Sequence, residues 1–268
     1  MIAKPSVSYH SLLADLRRLE LPVGRPVLVH CAMRQLGPVV GGASTLLRAI
    51  RDAGGGLATI VVPTQTANNS TTSRYYLDAT AGMDEAERAE YETKMPGFDS
   101  ARSPSYRVGA LSEYVRQRRT AVRSQHPQTS FAAVGPRAGE LLRTHLVTSH
   151  LGDHSPLAAL YDADGVALLL GVGFDRCTAL HLAEYRLAGP RRKTYTCFVD
   201  WADGVARMSF DALDLDDSDF AVLGDAMRAE PWVREARVGR APAYLVPIRQ
   251  VVDFAVAWMQ SHRSYADR

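Results

Sequence analysis

Cysteine is scarce in this sequence: Cys31, Cys177 and Cys197 are its three thiols in 268 residues. Their odd number, and the lack of any C-x-x-C pair, argue against a disulfide framework and against a cysteine-rich zinc site. An excess of one charge is missing too. Lysine and arginine number 31 against 29 aspartates and glutamates, a formal net charge of +2. That balance suits neither a basic arm for nucleic acid nor a polybasic membrane anchor, both of which need concentrated positive charge. No apolar run approaches the ~18–20 residues of a spanning helix. The opening Met1-Ile2-Ala3-Lys4-Pro5 lacks the apolar core of an export signal. What remains, at 46% hydrophobic and 22% charged residues, is an ordinary globular composition. The expectation is a soluble cytoplasmic protein with no nucleic-acid or membrane partner, a monomer or homodimer, long enough to bury one large core.

The pattern along the chain is that of alternating strands and helices. Tyr9 to Leu19 places Leu12, Leu13, Leu16 and Leu19 at helical spacing. Pro26 to His30 is a short continuous apolar run, as expected of a strand buried on both faces. A polar, glycine-containing turn follows, then a helix over Ala43 to Ala53 with Ser44 as its cap, a stop at Gly54-Gly55-Gly56, and a second buried strand over Leu57 to Pro63. Strand, helix, glycine stop and strand form a βαβ unit with neighbouring parallel strands. Thr64 to Asp99 is polar, with a weak helical pattern at Asp84 to Lys94, and reads as an insertion or lid. Further expected elements are a helix at Gly109 to Arg118, a turn entering a strand at His126 to Phe131, and a strand at Val166 to Val172. A helix opening near Arg176, a hairpin over Thr194 to Phe210, and closing helices at Asp217 to Arg228 and Ile248 to His262 complete the reading. The fold class is α/β: a mixed, largely parallel central sheet flanked by helices. One domain spans residues 1–268, with a lid-like, substrate-side insertion at about 66–99.

In open α/β sheets ligands collect at the carboxyl ends of the strands. His30, Pro63-Thr64-Gln65 and Gly173 to Thr178 all follow expected strands, so three polar clusters converge on one rim. No P-loop or G-x-G-x-x-G follows His30. Exposed amides from Cys31 to Leu36, ahead of a helix opening after Gly42, would still suit a pyrophosphate; equally, Gly37 and Gly41-Gly42 would serve a tight turn. His181 and Glu184 stand three apart and share a helix face, which fits a general base, a satisfied core histidine, or half of a metal site. The acidic run Asp211 to Asp219 divides in two. Asp217, Ser218 and Asp219 read as the cap of the next helix, whereas Asp211 and Asp214 lie upstream and are free to face a cationic ligand. His126 and His154 lack partners at sequence spacing and read as supporting residues. Cys31 neighbours His30, but adjacent strand residues point to opposite faces, which weakens a thiol-nucleophile reading.

Several strings together resemble one family. Leu28-Val29-His30-Cys31-Ala32-Met33, Leu36-Gly37, Val40-Gly41-Gly42 and Val62-Pro63-Thr64-Gln65-Thr66 are similar to the first block of the aminoglycoside 3-N-acetyltransferases. Met95-Pro96-Gly97-Phe98-Asp99, Ser103-Pro104-Ser105 and His126-Pro127-Gln128-Thr129-Ser130-Phe131 resemble further blocks. Leu169 to Glu184, with its Thr178-Ala179-Leu180-His181-Leu182-Ala183-Glu184, is the clearest, and Gly239-Arg240-Ala241 and Val251 to Phe254 resemble the last. The order is preserved over nearly the whole chain.

The resemblance implies an acetyl-coenzyme A-dependent N-acetyltransferase acting on an aminoglycoside antibiotic, for resistance or self-protection, with no metal. Its coenzyme side would comprise His30, Cys31, Ala32, Met33, Arg34, Gly41, Gly42, Thr64 and Ser103. His181 would be the base, with Asp214 the match for the family's downstream acid and Glu184 bracing the site. Donors on the loop after His30, or the Thr178 hydroxyl, would meet the charge that develops on the thioester oxygen. A cationic amine would be met by Asn68, Asn69, Asp99, His126, Asp175, Asp211, Asp214 and Glu184. The segment Ala67 to Tyr76 lacks the tryptophan-rich Asn-Pro-Pro stretch of many relatives, so another small amine is an alternative substrate. A metal-assisted or serine-type hydrolase, and a non-catalytic amine binder, are the other function classes.

Overall fold

The apolar runs without polar alternation do form strands covered on both sides. In the computed structural model, which describes residues 6–263, these are β1 (Val27–Cys31), β2 (Ile60–Pro63), β3 (Val122–Arg123), β4 (Phe131–Val134), β5 (Val166–Leu170), β6 (Arg192–Trp201), β7 (Gly204–Leu213), β8 (Arg234–Val238) and β9 (Ala241–Pro247). Residues 1–5, read above for an export signal, lie outside the described residues. Seven strands build one sheet in the order β3-β4-β2-β1-β5-β9-β8. β1 is parallel to β2 and to β5, while β4 and β9 pair antiparallel with their neighbours. Hence β3, β2, β1, β5 and β8 run one way and β4 and β9 the other, a mixed sheet largely parallel in direction with its parallel heart at β2-β1-β5.

Alternation through the pleat sends successive side chains to opposite faces. Leu28, Ala167 and Leu169 pack on one face beneath helices Pro156–Asp162, Leu180–Glu184 and Ile248–His262. Val27, Val29, Leu168 and Leu170 pack on the other against helices Tyr9–Arg18, Gly42–Ala53 and Ala110–Arg116. Each such fully buried side chain contributes about 1.5–3 kcal/mol. A floor held from both sides is what fixes the strand ends where the site forms.

Local departures from the sequence expectations have simple causes. Helix Gly42–Ala53 is capped by Gly41 in a left-handed conformation with no side-chain bond, so Ser44 does not cap it. The expected helix near Arg176 is a 3₁₀ turn at Phe174–Arg176, and the α-helix itself spans only Leu180–Glu184. The closing helix after the acidic run begins at Phe220, and its N-cap Asp219 makes no side-chain cap bond. Strands β8 and β9 were not anticipated.

The lid-like stretch contains a 3₁₀ turn at Ala67–Asn69 and helices Arg74–Ala79 and Glu85–Thr93, the last opened by an Asp84–Glu87 capping box. β6 and β7 form a separate two-stranded sheet. The lid is stitched to β6 by Thr71 N donating to Thr196 O (3.0 Å), Phe98 N to Phe198 O (2.9 Å) and Asp200 N to Phe98 O (2.9 Å). No described helix is long and apolar enough to cross a membrane.

Candidate active site

The carboxyl ends of β1, β2 and β5 open into a cleft of about 560 Å³, within the ~300–1,000 Å³ typical of small-molecule sites. His30, Cys31 and Ala32 contribute from β1, Pro63 and Gln65 from β2, and Val172, Asp175, Arg176, Thr178 and His181 from the segment after β5. Arg107, Val108 and Gly109 close one wall, and Asp217 and Phe220 another. Gly109 has φ +95°, and a Cβ there would lie 2.9 Å from the Cys31 carbonyl oxygen. Only glycine keeps that wall flat against the end of β1.

Within the cleft, His181 is the ring with a built-in orientation. Its Nδ1 lies 2.6 Å from Glu184 Oε2, and the carboxylate is 2% exposed. Glu184 Oε1 accepts from the Asp216 amide (2.9 Å) and from an Arg263 guanidinium N–H (2.8 Å). A carboxylate only accepts, so this contact calls for the N–H on Nδ1, and in the neutral ring the Nε2 lone pair is then left for chemistry. Phe220 packs against the ring, with centroids 4.8 Å apart.

A second imidazole behaves differently. His30, buried at the end of β1, is pushed down to about 4 by burial, so it stays neutral near pH 7. Its Nε2 lies 3.2 Å from Thr178 Oγ1. Thr178, His30 and His181 all line the same cleft. The Cys31 thiol is pushed up to about 12 by burial, which removes thiolate character from this wall.

Of the residues expected on the coenzyme side, His30, Cys31 and Ala32 line the cleft. Met33 and Arg34 continue into a helical turn, Met33–Leu36, and Gly41 and Gly42 open the following helix. Thr64 is fully buried, 3.1 Å from Ser130 Oγ. Ser103 Oγ accepts from Asp99 N and donates to Gly97 O. None of these six is among the cleft-lining residues.

The expected substrate residues divide as well. Asp175 lines the cleft, 3.1 Å from Arg176 Nε. Asn69 is buried, its Nδ2 donating to Pro127 O and Phe198 O, and Asn68 precedes it in the same 3₁₀ turn. Asp99 closes its own turn through Ala101 and Arg102. His126 is fully buried, its Nδ1 accepting from the Gln128 and Thr129 amides. Asp211 accepts from Thr194 Oγ1 across the hairpin. Asp214 is half-exposed and paired with Lys193, and the carboxylate on the His181 ring is that of Glu184. β7 carries Asp211 on the hairpin, and Asp214, just past its end, pairs across to β6 rather than toward the cleft.

Sequence reasoning missed three contributors. Arg107, in a left-handed conformation at φ 56°, reaches the cleft with Tyr75 and Tyr106 beneath its guanidinium. Asp217, expected in a cap, faces the cleft instead. Arg263 has no local signal at all, being 79 residues from Glu184.

A cleft at the carboxyl ends of parallel strands, an oriented histidine and a neighbouring hydroxyl are the parts that an acyl-transfer site requires. Residues 28–260 match the family model for aminoglycoside 3-N-acetyltransferase. The chain is 35% identical to aminoglycoside N(3)-acetyltransferase III of Serratia marcescens over 94% of its length and 97% of that protein. It is 34% identical to aminoglycoside N(3)-acetyltransferase VII of Streptomyces paromomycinus, covering 93% and 90%. Among solved structures, YokD from Bacillus subtilis superposes with a TM-score of 0.89 at 30% identity, covering 98% of this chain and 96% of YokD. The AAC-IIIb binary complex with CoASH gives 0.83 at 28% identity over 98% and 100%. The chain belongs to the aminoglycoside 3-N-acetyltransferase family and is an acyltransferase.

Proposed function

We propose that this enzyme transfers the acetyl group of acetyl-coenzyme A to an amino group of an aminoglycoside antibiotic, with His181 as general base. The observation that carries the reading is the Glu184–His181 pair at the wall of the cleft, which engages Nδ1 and so, in the neutral ring, offers Nε2 as the acceptor. The relatives support the substrate class: they are named aminoglycoside N(3)-acetyltransferases, and one neighbour is AAC-VIa bound to sisomicin. Residues 66–99 fit the role of a substrate-side insertion within a single acetyltransferase domain.

The cosubstrate supplies an acetyl thioester. The residues present fit such a molecule: the flat wall at Gly109 and the apolar end of β1 suit a slender arm, and Arg107 and Arg176 place positive charge along the same cleft. At neutral pH a substrate ammonium has no lone pair. His181 Nε2 accepts one proton, the freed nitrogen bonds to the thioester carbonyl carbon, and as the carbon–sulfur bond breaks the nitrogen's second surplus proton passes to the departing sulfur, which leaves as the thiol. Glu184 stabilises the imidazolium formed. With His30 Nε2 donating to Thr178 Oγ1, the threonine's own proton is directed at the charge developing on the carbonyl oxygen, a role worth ~2.7–4 kcal/mol. Asp175 and Asp217 place negative charge where the cationic amine enters.

The test is thiol release from acetyl-coenzyme A across a panel of aminoglycosides and simple amines, with product sites assigned by NMR. The expected result is chelator-insensitive acetylation of an aminoglycoside that is lost in His181→Ala with coenzyme binding retained. Full turnover by that variant refutes the base. Acetylation of simple amines alone points to the small-amine alternative, and chelator-sensitive, coenzyme-independent hydrolysis to the hydrolase.

A further inference from the structure

We propose that Arg263, immediately after the last helix, is a positioning residue for the acyl transfer: its guanidinium clamps Glu184 and the Asp216–Asp219 turn so that His181 is presented in its working tautomer. The inference rests on His181 being the base.

Helix Ile248–His262 ends where Arg263 becomes extended (φ −99°, ψ 116°), and the side chain turns inward to 10% exposure. One guanidinium N–H donates to Glu184 Oε1 at 2.8 Å, and another reaches the Asp216 carbonyl oxygen at 2.8 Å. Its Nε donates to Asp219 Oδ2 at 2.7 Å, and a further N–H donates to Asp219 Oδ1. The planar fork thus bridges carboxylates from two elements, a geometry lysine cannot reproduce. Two consequences reach the base. Glu184, nearly inaccessible to water, has Oε1 filled by the Asp216 amide and Arg263; without the guanidinium a buried acceptor loses a partner and the carboxylate is free to turn away from the ring. Arg263 also lies 5.9 Å over the Phe220 ring, which itself backs His181 at 4.8 Å. Both side chains that hold the imidazole are therefore held in turn by one arginine. The same clamp fixes the turn that carries Asp217 to the cleft wall. Arg263 is not itself among the cleft-lining residues, so it acts through His181 rather than on the substrate.

The experiment compares wild type with Arg263→Ala and Arg263→Lys, measuring kcat, both KM values and the melting temperature, with and without added methylguanidinium. Arg263→Ala is expected to lose roughly 100-fold in kcat, the scale of a misplaced catalytic group, with KM for acetyl-coenzyme A within about twofold. Methylguanidinium should restore a substantial part of the lost kcat and leave wild type unaffected. Arg263→Lys, which keeps the charge without the fork, should stay at least about tenfold below wild type. It carries the test if the alanine variant does not fold. Wild-type kcat in either folded variant overturns the proposal, as does a kcat loss in Arg263→Ala that methylguanidinium leaves untouched. His181→Ala, measured alongside, separates the two readings. If it is inactive while Arg263 variants are normal, only the clamp fails; if it is active, the base assignment fails.

Discussion

Replacing Glu184 by glutamine removes one charge and almost no volume, yet the surroundings dictate which way the amide turns. The position of Oε1 is faced by two donors, the Asp216 amide at 2.9 Å and Arg263 at 2.8 Å, so the amide oxygen must sit there. Its NH₂ then takes the place of Oε2, 2.6 Å from His181 Nδ1. Only an unprotonated Nδ1 can receive it, so the ring proton moves to Nε2 and the base is lost. The competent tautomer survives only in the opposite amide rotamer, which leaves two buried donors facing an NH₂. At about 1–3 kcal/mol for each unsatisfied group, that rotamer is disfavoured by roughly 2–6 kcal/mol, or about 30- to 25,000-fold in kcat. The ~10,000-fold loss when the orienting carboxylate of a Ser-His-Asp triad becomes an amide falls within this range. The assay is initial-rate thiol release at saturating acetyl-coenzyme A, beside ¹⁵N NMR of the imidazole. A folded Glu184→Gln enzyme with kcat within about threefold of wild type, or with the proton still on Nδ1, refutes the reasoning.

Other expectations concern neighbouring groups. Thr178→Val should lower kcat by about 100- to 1,000-fold while Thr178→Ser retains most of it; equal activity of the two under single-turnover conditions removes the hydroxyl from the reaction. Stability should fall in acid because of a buried trio: burial pushes His145 down to about 4 and His150 to about 3, and His126 well below its ordinary range. The unfolded chain takes up protons on these rings below about pH 6.5 and the folded one does not, so unfolding free energy is full above pH 6.5 and declines as pH falls toward 4. His150 is the member to replace, since among the described residues neither ring nitrogen has a hydrogen-bond partner, and the ring packs at a tilt against Tyr195 with centroids 4.2 Å apart. His150→Phe should make the acid decline shallower in denaturant titrations at pH 7.5, 6, 5 and 4; an unchanged slope with pH defeats this account.

The legible parts of the fold and site were those encoded locally. Val27 to Cys31 and Val166 to Leu170 announced themselves because a strand covered on both faces tolerates no polar alternation. His181 and Glu184 were readable as a pair because three residues on a helix are one turn. Arg234 to Val238 escaped notice because β8 lies at the sheet edge, where three of five residues are exposed, so its composition resembles a loop. In Asp211 to Asp219 the sequence shows many carboxylates but not their directions. Strand register sends Asp211 to Thr194, Lys193 claims Asp214, and Arg263 draws Asp219 away from capping. Thr64, Asn69 and His126 sit in motif-like strings, yet the Thr64 hydroxyl, Asn69 Nδ2 and His126 Nδ1 are spent on buried main-chain or hydroxyl partners. A short string cannot reveal whether such atoms are consumed internally.

The β6–β7 ribbon and the stretch stitched to it share no strand pairing with the seven-stranded floor. Main-chain bonds join the two, and side chains add to them: Asn69 Nδ2 and Ser70 Oγ donate to Phe198 O and Thr196 O, and Arg207 pairs with Glu92. If this rim meets the amine, as proposed above, changes of specificity belong to its side chains outside those links, while the imidazole and the strand ends stay on the separate sheet below.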